Sequence, residues 1–175
     1  MSLVEILKQD ADGAYQAAAG LFKLVDESNL DWKPETGKNW MTVGQLMKHC
    51  TNACGKVSIG FVTGDWNAAT DPKPDDAPAD EMMPPAEKMP TVSSTEEALK
   101  LLEADRKLAH ELFEKAGEER LANEKSAPPW GGPERSLYQH LNEMIGHLNQ
   151  HKGQLFYYLK LQGKDVNTMH MYGMA

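Results

Sequence analysis

The chain has 175 residues, with 18 Lys and Arg against 26 Asp and Glu, for a formal net charge of −8. That length suffices for one domain with a full core, and residues 1–175 read as a single domain. The acidic balance, with no basic patch, excludes nucleic acid and anionic membrane as expected partners, and no apolar run is long enough to span a bilayer.

The opening MSLVEILKQDADG reads as a capped amphipathic helix rather than a secretory signal, so the expected location is cytoplasmic. With Ser2 as N-cap, this first helix is predicted from Leu3 to about Glu27. Its apolar stripe is Val4, Leu7, Ala11, Ala14, Ala18, Leu21, Leu24 and Val25. Asn29 to Asn39 is a connector broken by Lys33-Pro34 and Gly37. A second helix starts at Thr42 and carries Val43, Leu46, Met47, Cys50, Cys54, Val57 and Phe61. Cys50 and Cys54, the only cysteines, lie one turn apart on it and read as two small buried thiols.

Gly64 to Thr91 is rich in Pro and Asp and has no periodicity. Its acidic stretch Asp71 to Glu87 reads as a solvated loop, and a loop of this length is usually functional or a long crossover. Ser94-Thr95-Glu96-Glu97 is a capping-box sequence that opens a third helix, predicted to run to about Lys115. A second loop, Gly117 to Arg135, contains Pro128-Pro129-Trp130-Gly131-Gly132-Pro133. Ser136 caps a fourth helix from Leu137 to Leu161, ended by Gly163. The Met-rich tail from Asn167 to Ala175 finds no place in this scheme and reads as loose or packed on a neighbour. The predicted fold is all-α: a four-helix bundle with long crossover loops.

The chemistry lies in three histidines. His147 and His151 are four apart, so their Cβ atoms share one face of the fourth helix, roughly 5–6 Å apart, and can converge on one cation. His49 sits on the second helix, where a ligand from a facing helix would lie. By helical arithmetic His147 and His151 fall roughly 60–100° to one side of the stripe Leu137, Leu141, Ile145, Leu148, Leu155 and Leu159. His49 falls about 110° from the centre of its own stripe. The histidines thus flank the core, where a cleft between helices would open to water. His140 lies roughly 10 Å along the axis from His147, too far to share the ion, and is expected in an outer role or facing solvent. Trp66 and Trp130 are candidates for a pocket wall, with ordinary aromatic packing as the alternative. Gln45 and Gln154 are candidate hydrogen-bond donors near the site. Glu143, one turn before His147, is the nearest carboxylate that could serve as a base.

The segment MIGHLNQHKGQL, Met144 to Leu155, resembles the DinB/YfiT-like family, whose last long helix carries His-x-x-x-His-Arg-Gly-Gln and then an apolar residue. Lys152 here replaces the Arg. The segment from Trp40 to His49 also resembles that family's stretch ending in its first histidine, and Trp32-Lys33-Pro34 resembles its connector. The resemblance implies a bundle that binds a divalent metal ion, often nickel, zinc or iron, with His49, His147 and His151 at the ligand positions. It also implies a homodimer, and, among members with an assigned activity, thiol S-transferases or isomerases that use a low-molecular-weight thiol. Two other readings stay open: metal-dependent hydrolysis, and a non-enzymatic stress-related bundle with a bound metal.

Overall fold

The computed structural model describes residues 1–70 and 85–175. Most of the expected acidic loop, residues 71–84, lies outside them. The described part is an all-α bundle with one two-residue hairpin.

Helix α1 spans Leu3–Phe22. Ser2 accepts from the Glu5 amide while the Glu5 carboxylate accepts from the Ser2 amide, a reciprocal cap that satisfies two orphan donors. The Glu118 carboxylate takes two more, the Leu3 and Val4 amides at 2.9 and 2.8 Å. The helix ends five residues before the predicted Glu27. The Leu24 and Val25 amides bond three residues back, to Leu21 and Phe22, which tightens and closes the last turn.

The second bundle position departs from the expectation of one helix. It is divided into α2, Val43–Cys50, and α3, Gly55–Thr63, across a turn at residues 51–54. A short helix α4, Trp66–Ala69, follows where only loop was expected. After the undescribed stretch, a 3-10 turn at Ala86–Lys88 returns the chain over the start of α2. There Met89 accepts from the Gln45 amide at 2.8 Å, and Val92 donates to Gly44. Gly44 is required at that crossing: a Cβ there would lie 2.4 Å from the Thr91 hydroxyl.

Helix α5 spans Thr95–Asn123, past the predicted end at Lys115. Ser94 caps it, but the expected box is not reciprocal: the Glu97 carboxylate bonds the amide and hydroxyl of Ser93 instead. Gly117 does break the helical path, at φ 69°. The chain then resumes a helix because Leu121 is buried in the core, and the kink sets Glu118 against the start of α1.

The loop between α5 and the last long helix carries strands β1, Lys125–Ser126, and β2, Arg135–Ser136, paired antiparallel. Helix α6 spans Leu137–Leu161, as read from its Ser136 cap and Gly163 stop, with Ser136 and Gln139 forming the capping box. The tail is neither loose nor without a seat. Its short helix α7, Thr168–Met171, brings Gly173 onto α1, where the Gln16 amide donates to the Gly173 carbonyl at 3.0 Å.

Helix α1 packs against both α5 and α6; α3 packs on α5, and α2 and α3 both pack on α6. The shared core includes Leu7, Leu21, Leu46, Phe113, Leu148 and Leu155. No helix among the described residues is long and apolar enough to cross a membrane.

Candidate metal centre

The core stripe of α6 is buried through Leu141, Ile145, Leu148, Leu155 and Leu159. The two residues one step off that stripe, His147 and His151, are half-buried beside α2. His49 meets them from the last turn of α2, also half-buried. Among the described residues these three form the one cluster of metal-ligating side chains, with ligand atoms all within 4.8 Å of one another. The ring centroids lie 4.3 to 5.0 Å apart, and the ring planes are steeply inclined, as imidazoles around a common point must be. His49 Nε2 and His147 Nε2 are 3.2 Å apart. Two nitrogens each ~2.0–2.1 Å from one ion stand roughly 2.9–3.4 Å apart at ordinary coordination angles, so the spacing fits.

A metal-binding histidine needs its other nitrogen engaged, so that tautomer and ring orientation are set. For His151 a chain of hydrogen bonds does this. The Met41 carbonyl can only accept, so the Tyr158 hydroxyl donates to it, at 3.1 Å. The Tyr158 oxygen then accepts from the Gln154 amide nitrogen, also at 3.1 Å. The Gln154 carbonyl oxygen is thereby turned to His151 Nδ1, at 3.3 Å. A carbonyl there requires Nδ1–H, which leaves the lone pair on Nε2. Beside His147 lies the backbone of Ala53, whose influence favours the charged ring.

Burial pushes the His147 imidazole below its ordinary value, against the opposing influence of Ala53 and of the nearby Glu143 carboxylate. Burial, together with the neighbouring His147, pushes His151 down to about 4. Both rings are therefore neutral at pH 7, the state in which imidazole binds a metal.

The remaining sequence candidates fall elsewhere. His140 does not face solvent: it is buried, stacks on Phe61 at 4.4 Å between centroids, and bonds the Ser126 carbonyl at 2.9 Å. Trp66 and Trp130 pack on each other and on Phe61, with centroids 4.9 to 5.8 Å apart, as ordinary aromatic packing requires. Gln45 has both ends of its amide occupied, by Thr42 and Met89. Glu143 is held by Arg135 Nη1 at 2.7 Å. Cys50 and Cys54 are free and buried, and desolvation pushes both thiols up to about 12. Sequence reasoning missed Tyr158 and Ala53. The first stands four residues after Gln154, a spacing that signals contact on a helix. The second acts through its backbone, which side-chain patterns do not reveal.

Three half-buried imidazoles on facing helices, those of His147 and His151 held neutral, constitute a site that could hold a divalent ion with positions open to solvent. No curated protein matches the chain. The sequence profile of the DinB superfamily matches residues 11–155, which include all three histidines, the whole of α2 and most of α6. The chain belongs to the DinB superfamily.

Proposed function

We propose that the chain binds one divalent ion, nickel, zinc or iron, through His49, His147 and His151, and that the bound ion serves the transfer of a whole low-molecular-weight thiol, as its thiolate, to an electrophile. The observation that supports the metal part is the convergence of three imidazoles with a pair of nitrogens 3.2 Å apart. An ion held by three neutral nitrogens keeps open positions and acts as a Lewis acid, favouring the deprotonated form of a thiol or a water. The chain's own contribution is to hold His147 and His151 neutral by burial and to set the His151 ring through Gln154 and Tyr158. Thiol transfer itself is supported by the assigned chemistry of the family that the histidine motifs resemble.

Hydrolysis would call for a base within reach of the ion's open side. The nearest carboxylate on α6, Glu143, is engaged by Arg135, which speaks for a thiol rather than a water as nucleophile. A structural zinc would normally close with four protein ligands, and the cluster among the described residues has three.

Calorimetry of the metal-loaded protein against glutathione, bacillithiol and mycothiol, in buffers of different ionisation enthalpy, tests the reading. Binding of one thiol with release of a proton is expected, since the free thiol has pKa about 8.5 and the bound form is thiolate. No binding at millimolar concentration would leave hydrolysis or a non-enzymatic role as the better reading.

A further inference from the structure

The helix that carries His49 is interrupted one residue after it. In α3 the first rung is the Ser58 amide bonding the Cys54 carbonyl at 3.0 Å. The Ala53 carbonyl therefore stands outside that ladder. In one continuous helix through residues 43–63, the Ala53 carbonyl would instead accept from the backbone four residues on.

The restart of α3 has no side-chain cap of its own, since its N-cap position is Cys54. A helix N-terminus leaves its first amides without partners. Here they are satisfied from a different helix. Asp105 of α5, 5% exposed, accepts from the Gly55 amide at 3.0 Å and the Lys56 amide at 2.7 Å. The buried Tyr15 hydroxyl of α1 donates to the same carboxylate at 2.6 Å and accepts weakly from the Gly55 amide at 3.3 Å. The approach is close enough to exclude any side chain at residue 55: a Cβ there would lie 2.2 Å from the Asp105 carbonyl oxygen. Desolvation pushes the Asp105 carboxyl up, and the hydrogen bonds from Tyr15 and the α3 amides pull it back down. A buried carboxylate serving two backbone amides and a phenol is thus the fastening of three helices at the break.

We propose that Asp105 is a positioning residue for the metal centre: by capping α3 from α5 it holds the interruption at residues 51–54, and with it the last turn of α2 that carries His49. The interruption also ends α2 within a turn of His49, and the partial negative charge of a helix C-terminus favours a cation nearby. This inference rests on the three-histidine metal reading and adds a residue that touches neither ion nor ligand.

The test uses Co(II) as the probe on the full chain, with affinity from chelator competition and coordination from the visible d–d absorption. Asp105→Ala is expected to weaken binding about 10–100-fold, the usual cost of losing an outer-shell partner, and to shift the absorption band. Asp105→Asn keeps an acceptor oxygen for one amide and should recover part of both. A loss of general stability alone would lower the unfolding midpoint without moving the band. Variants that are helical by circular dichroism and bind Co(II) with wild-type affinity and spectrum overturn the inference. Should Asp105→Ala not fold, the isosteric Asp105→Asn decides between the same outcomes. A wild-type protein that binds no Co(II) overturns the metal reading itself, and the inference with it.

Discussion

The two helical segments that meet at the histidine cluster are built differently. Helix α6 runs 25 residues without interruption, begins at its own Ser136–Gln139 capping box and carries two of the histidines in simple helical register. Across from it, α2 and α3 occupy one bundle position in two pieces of 8 and 9 residues. Each piece is shorter than a helix that holds together alone in water. The first piece has its own cap, Thr42 with Gln45; the second borrows Asp105 from α5. Local sequence suffices for a long helix that aligns two imidazoles by periodicity. A bundle position filled in two pieces needs its break stabilised from elsewhere in the fold.

The contrast can be broken at several points. The largest effect is expected from His147→Ala on the continuous side. Metal affinity should fall by more than ~100-fold, beyond the cost of losing an outer-shell partner, while circular dichroism keeps its helical signal. Full metal stoichiometry in that variant, by elemental analysis, would contradict the assignment. On the interrupted side, Gly55→Ala forces a methyl against the α5 backbone and should cost about 1–3 kcal/mol in urea unfolding. It should weaken metal binding as well, because the displaced turn directly follows His49; an unchanged affinity would separate the turn from the site.

The smallest effect is in the pH dependence of the metal-free protein. His147 and His151 are both depressed in the folded state, His151 to about 4, below the ordinary imidazole value of about 6.5. Between those values the unfolded chain binds more protons than the folded one. The stability that these neutral rings allow is therefore intact above pH ~6.5 and declines as the pH falls through that window. Urea midpoints at pH 7.5 and pH 5 should show the decline, and a His151→Leu variant should show less of it. An equal decline in that variant would assign the effect to other groups.

How much of this was legible in the sequence follows from the same contrast. The bounds of α6, the Ser2, Thr42 and Ser136 caps and the grouping of His49 with His147 and His151 all come from short-range signals: capping residues, the 3.6-residue period and a motif. The division of α2 from α3 was hidden, because Val57 and Phe61 continue the apolar stripe of Leu46 and Cys50 with no Pro between them. What interrupts the helix is a buried carboxylate some 50 residues away in sequence, held by a tyrosine on α1. Gly117 misled in the opposite sense. It does break the helical path, yet Leu121 restores a helix beyond it because a core position is there to be filled. The tail was read as having no place since its seat, the Ala17 region of α1, exists only after the bundle forms.

His49 and His147, whose nitrogens lie 3.2 Å apart, are separated by 98 positions in the chain. Bringing the ends of a flexible loop of that length together costs ~4 kcal/mol in chain entropy. A metal ion meeting an unfolded polypeptide would have to offset that loss from its own bonds. In the bundle, burial of Leu46, Leu148 and the rest of the shared core has already confined the two strands of chain, so the coordination energy of an ion bound there would go almost wholly into affinity.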